Sequence, residues 1–173
     1  LCFIGIICHV GIDVGINVTA PKVMVERLGV TLSVALQATM VYFICRTIGS
    51  FLGTFILQLV RVRTFFAISL ALIGVALIGL MVFSTEALLL VCIGIIGFGN
   101  SNIFSMIFSE ALLDEPDKKN EVSGLLIMGL IGGTVFPFAM GFASDAIHTQ
   151  SGAVAVLLIA VVYLAFYCVK LKK

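Results

Sequence analysis

The chain has 173 residues, 61% of them hydrophobic and 11% charged, against about 45–50% and 25% in soluble domains. That composition excludes a water-soluble fold, and ten Lys and Arg against nine Asp and Glu, with no basic block, exclude a nucleic-acid partner. The five cysteines, Cys2, Cys8, Cys45, Cys92 and Cys168, stand singly in apolar runs, without the paired spacing of a zinc site or a disulfide framework.

Charged residues punctuate the sequence into six apolar stretches, each long enough to cross a hydrocarbon core of about 30 Å at about 1.5 Å per residue. The expected spans are about 1–19, 32–60, 64–85, 87–109, 122–144 and 151–169. The chain opens inside an apolar run, on Leu1 and without a charged leader, so a piece of a longer protein is expected. Six spans put both ends on one side. With the ends inside, Arg61, Arg63, Lys118, Lys119, Lys170, Lys172 and Lys173 lie inside and only Lys22 and Arg27 outside, which predicts cytoplasmic ends.

In the first span His9, Asp13 and Asn17 recur every four residues. At about 100° per residue they drift only about 40° per step and form one narrow stripe. Gly11 and Gly15 lie nearly opposite Asp13 and invite close packing of a neighbouring helix. Lipid cannot solvate such a stripe; a carboxylate at the helix centre costs about 2.5–3.5 kcal/mol on insertion scales. The stripe therefore lines a hydrated pathway, where Asn17 and His9 hydrogen-bond a polyhydroxylated ligand and Asp13 accepts hydroxyls or carries a proton, or it glues helices together. We read Asp13 as cavity-lining; His9 fits both.

The second span carries Arg46 about ten residues from its loop, followed by Gly49 and Gly53 on nearly the same side. A guanidinium this deep needs a partner, a cavity or a route to the interface, and a structural or gating role is expected. Gln37, on the other half of the span, is a further cavity candidate. The fourth span reads Gly97-Phe98-Gly99-Asn100-Ser101-Asn102-Ile103-Phe104-Ser105, a polar patch that suggests a loosened helix with Asn100 and Asn102 as possible ligand contacts. Phe104 and Phe108, a turn apart, fit a lipid-facing position better than a stacking surface. The fifth span holds Gly129, Gly133, Pro137 and Gly141 every four residues, a close-packing groove with a proline kink. The second and fifth spans, both glycine-rich, are the middle members of two sets of three, as in an inverted repeat. No nucleophile elbow, metal-spaced His pair or phosphate-binding glycine loop occurs, so neither catalysis nor a metal or other cofactor is expected.

One further pattern is more specific. The run Asn100-Ser101-Asn102-Ile103-Phe104-Ser105-Met106-Ile107-Phe108-Ser109-Glu110-Ala111-Leu112 is followed by Ser123-Gly124-Leu125-Leu126-Ile127-Met128. Then come Ile131-Gly132-Gly133, Pro137, Met140-Gly141 and Ser144-Asp145. With Gly11, Asp13, Thr39-Met40 and Arg46-x-x-Gly49, these resemble the C-terminal half of the L-fucose permease type of the major facilitator superfamily, the bacterial fucose, galactose and glucose proton symporters. Ser105 departs from the proline usual in that family. The resemblance covers essentially the whole chain. It implies an all-α polytopic fold, six transmembrane helices forming one half of a twelve-helix transporter as two inverted three-helix repeats. It also implies a monosaccharide substrate, proton coupling by alternating access, an N-terminal six-helix half absent from this chain, and residence in the bacterial cytoplasmic membrane. Asp13 would then be the proton-coupling candidate among these residues. The competing readings are a six-helix protein that self-assembles into a channel and a membrane subunit that transports nothing.

Overall fold

The computed structural model describes residues 1–170; Lys172 and Lys173, which enter the charge count above, lie outside the described residues. The described residues are helical and contain no strand. Six helical stretches are long and apolar enough to span: Cys2–Leu28, Leu32–Leu59, Val62–Val82, Glu86–Asp114, Pro116–Ile147 and Ser151–Lys170.

The first, α1 (Cys2–Leu28), runs nine residues beyond its expected end at 19. Lys22, Glu26 and Arg27 end the apolar run but are compatible with helix, so the helix continues until Gly29. That glycine adopts the left-handed conformation at φ 64° and returns its N–H to Val25 O. The second span is a short turn, α2 (Leu32–Ala35), leading through Leu36 into α3 (Gln37–Leu59). The third is α4 (Val62–Val82). The fourth is broken, as its amides and glycines suggest: α5 (Glu86–Asn100) stops, Ser101 and Asn102 form a turn, and α6 (Ile103–Asp114) resumes. The fifth begins with a 3₁₀ turn at Pro116–Lys118 and α7 (Lys119–Met128), then passes through a second 3₁₀ turn at Gly129–Ile131 into α8 (Gly132–Ile147). The irregularity thus falls at Gly129, whereas Pro137 sits inside α8. The last is α9 (Ser151–Lys170).

Span one packs chiefly on spans five and six, through α8 and α9; span four packs through α5 on α3 and α4, the helices of spans two and three. The same pairing thus occurs twice, with α4 against α9 joining the two groups. Glycine makes these approaches possible. A Cβ on Gly132 would collide with the backbone carbonyl of Ile7, and one on Gly11 would overlap the Phe136 ring. On α3, a Cβ at Gly49 would come within 2.8 Å of Phe98 O. The groove against α1 consists of Gly129, Gly132 and Gly133, and Gly141 takes no part in it, for no atom lies within 4 Å of its Cβ position. Four-residue spacing drifts about 40° per step, so the stripe leaves the contact after two turns.

At the C-terminal end of α1 two adjacent charges form a clasp. Arg27 donates to Met81 O at 2.6 Å and Phe83 O at 2.7 Å, at the end of α4. Glu26 accepts the Gln150 N–H at 2.7 Å, just ahead of α9.

Burial is uneven. Within their most apolar windows, the second and fifth spans are 17% and 22% buried, whereas the other four are 50–56% buried. The two middle helices present broad apolar faces, including Phe51 and Phe55 on α3 and Phe138 and Phe142 on α8.

Candidate functional site

The polar stripe of α1 meets two other helices halfway along its length. Asp13 is the hub. Its Oδ2 accepts from the Arg46 guanidinium of α3 at 2.8 Å, a salt bridge between two helices. Its Oδ1 accepts the Tyr42 hydroxyl at 2.5 Å and, at 3.4 Å, the Asn100 amide from the end of α5. The same Asn100 amide donates to the Tyr42 hydroxyl oxygen at 3.0 Å. Tyr42 and Arg46 are one turn apart on α3 and so reach the same carboxylate. Tyr42 and Asn100 are fully buried, while the side chains of Asp13 and Arg46 keep 19% and 31% of their exposure. The ion pair therefore lies at the border between the packed core and open space. Opposite charges this close need far less solvation than either alone, which is how lipid-depth charges are tolerated.

The other stripe members are placed differently. Asn17 spends its amide on its own helix, donating to Asp13 O at 2.7 Å, and its Oδ1 is buried without a partner. His9 is buried, its ring 6.0 Å from that of Phe104, and its Nδ1 has no partner. Asn100 Oδ1 is the third buried side-chain polar atom left unpaired among the described residues, so all three belong to the stripe or its immediate neighbour. Buried polar atoms in native structures are normally satisfied by protein or water; a hydrated or ligand-filled pathway would satisfy these.

Asn102 is bound elsewhere, donating to Gly49 O at 2.9 Å and to Ser101 Oγ at 2.8 Å, and so ties the α5–α6 turn to α3. Gln37 is exposed near the start of α3. Nine residues from Arg46, it points to roughly the opposite side of the helix and takes no part in the cluster. Phe104 and Phe108 are stacked at 5.7 Å and half-buried against the core rather than turned out to lipid. Among the described residues no group of His, Cys, Asp and Glu is arranged to hold a metal.

Tyr42 is the member that sequence reasoning missed. A tyrosine one turn from an intramembrane arginine was a legible signal, since a buried phenol seeks a hydrogen-bond partner.

A polar cluster carried by six spans whose packing repeats as two groups of three defines a polytopic helical membrane protein built on an internal repeat. Residues 2–173 match the Major Facilitator Superfamily, and the chain belongs to that family. It is 26% identical over 171 residues to a Helicobacter pylori protein named "Putative glucose/galactose transporter", covering 96% of this chain and 42% of that one. It is 28% identical over 120 residues to a glucose/galactose transporter of Brucella abortus, covering 69% and 29% respectively. The chain spans less than half the length of the relatives it matches.

Proposed function

We propose that the chain is the C-terminal six-helix half of a bacterial secondary transporter that imports a monosaccharide of the fucose, galactose or glucose class. It sits in the cytoplasmic membrane with both ends of this segment cytoplasmic, and works with protons by alternating access. The observation that supports this best is the Asp13–Arg46–Tyr42–Asn100 cluster, held at mid-span and reaching open space through its two charged members. Amides, a hydroxyl and a neutralised ion pair suit a ligand rich in hydroxyls, each of which both donates and accepts. A phosphorylated or dicarboxylate substrate would call for more basic groups than Arg46. His9 and Asn17 complete the substrate-facing candidates; Gly129, Gly133 and Pro137 belong to the fifth span, which would move against its neighbours.

The bare faces of the second and fifth spans support the half-transporter reading, because a second six-helix half would cover them. A second copy of this chain would cover the same faces, which is the self-assembling channel. Proteoliposomes of the full-length gene product, preloaded with unlabelled galactose and challenged with labelled glucose or galactose, discriminate the two. A carrier gives saturable uptake with counterflow. Flux linear in concentration, without counterflow, overturns the proposal.

A further inference from the structure

Asp13 is the one carboxylate in the middle of the six spans, since the other eight acidic residues lie near or beyond span ends. Its partners come from across a junction. α1 packs with α8 and α9, whereas Tyr42 and Arg46 on α3 and Asn100 on α5 belong to the group of α3, α4 and α5. With the carboxylate ionised, Oδ2 accepts from Arg46 and Oδ1 from Tyr42 and Asn100, and the Tyr42 oxygen accepts from Asn100 as well. Each donor in this network points toward Asp13. At its far end the Asn100 amide faces the His9 ring, and there Asn100 Oδ1 and His9 Nδ1 are both buried and unpaired. A carbonyl oxygen and a ring nitrogen without its hydrogen are both acceptors and cannot bond each other.

The same side chains close without an unpaired atom when the network runs the other way. A proton on Asp13 Oδ1 donates to the Tyr42 oxygen, and the Tyr42 hydroxyl turns to Asn100. The Asn100 amide rotates by half a turn to present Oδ1 to that hydroxyl, and its NH2 then donates to His9 Nδ1. Oδ2 remains an acceptor, so the Arg46 bond is kept. The proton comes from pathway water at the partly exposed carboxylate, and the cluster passes from neutral to the single positive charge of Arg46. We propose that His9, Asn100, Tyr42 and Asp13 form a reversible hydrogen-bond relay, which lets Asp13 take up the coupling proton while the junction stays closed. His9 is then a positioning residue: it acts on Asp13 through Asn100 and Tyr42, and does not itself carry the proton. The relay begins and ends on α1 and passes through α5 and α3, so both of its forms tie the two helix groups together.

The titratable and charged groups that face Asp13 are Tyr42 and Arg46 from α3 and His9 from α1, while α5 offers only the Asn100 amide. The other elements packed on α1 keep theirs toward its ends. Glu110 and Asp114 stand in the last two turns of α6, Lys119 and Glu121 in the first turn of α7, and Asp145 in the last turn of α8. Tyr163 and Tyr167 of α9 lie beside Leu1 and Cys2.

The assignment rests on the proton-coupled sugar carrier reading, and the test separates the two. In proteoliposomes of the full-length protein, counterflow and the pH profile of uptake are compared for wild type, His9→Phe and His9→Gln. His9 Nδ1 makes no bond while Asp13 is ionised, so losing it weakens only the protonated form. His9→Phe is therefore expected to lower the proton affinity of Asp13 about tenfold, moving the pH of half-maximal uptake down by about one unit. Glutamine cannot titrate but offers an amide oxygen to Asn100, and His9→Gln is expected to return that pH to the wild-type value. An unmoved pH in His9→Phe overturns the proposal. Equal shifts in the two variants overturn it as well, since they make His9 the titrating group.

If His9→Phe fails to reach the membrane, His9→Gln alone decides: a wild-type pH profile is expected, and a lost or displaced pH response overturns the relay. A wild-type protein without counterflow refutes the carrier reading, and one with counterflow but no response to pH refutes only the coupling; either takes the relay down with it.

Discussion

Arg46 and Asp13 each bring into the membrane a charge that lipid rejects, and each is tolerable because the other lies 2.8 Å away. Removing one partner of a desolvated pair costs more than the pair contributes, typically about 3–5 kcal/mol for fully buried examples. With both side chains partly exposed, Arg46→Gln is expected to fall at or below the lower end of that range. A thermal melt in detergent should show a lowered midpoint, and the double change to Asn and Gln should regain most of the loss. The need for partners was visible in the sequence, since a mid-span carboxylate and a mid-span guanidinium both demand them. Their pairing was not. Helical periodicity tells which side chains share a face within one helix, but only tertiary packing decides which faces meet. Asn102 shows the same limit: its spacing places it on a polar face, yet its amide is bound to Gly49 O, a backbone atom that no residue pattern advertises.

Helices, by contrast, were largely legible. An apolar stretch is bounded by charge, and charge is written in the sequence, so a helix long and apolar enough to span covers each of the six, with the largest difference in bounds at the end of α1. The α5–α6 break also follows from composition, because Asn100, Ser101 and Asn102 offer side-chain hydrogen bonds that compete with the helical ladder. The glycine stripe of the fifth span was only partly legible, since regular spacing continues past the point where the neighbouring helix diverges. Gly132→Ala is accordingly expected to disrupt the contact between α1 and α8 by 1–3 kcal/mol, about the cost of overpacking, because its Cβ meets backbone that cannot rotate away. Gly141→Ala should be neutral or slightly stabilising, as its Cβ meets open space and alanine favours helix. Melting midpoints of the two variants side by side check this contrast; equal losses would count against the packing described for α8.

Taken together, the six spans form a body with four well-packed helices and two bare ones. Single-sequence patterning cannot distinguish a lipid-facing apolar surface from one that another protein half covers, because both read as hydrophobic. A spin label reports the difference. At Val75 on α4 and Val162 on α9, both exposed, oxygen collision rates in the full-length protein should be those of a lipid-facing site. At Phe51 on α3 and Phe142 on α8, on the bare faces, they should be several-fold lower if a second half packs there. Lipid-like rates at all four would leave these faces in the bilayer and remove the support for the half-transporter reading.

The clasp formed by Glu26 and Arg27 sets the two ends of the bundle apart. Three connections, after α1, after α4 and before α9, share hydrogen bonds at that end, so lengthening any one of them disturbs the other two. Opposite them, the Pro116–Lys118 turn and its flanks are exposed throughout. Natural length variation, and any inserted reporter, would therefore be borne most cheaply there. The architecture is conservative at one pole and permissive at the other.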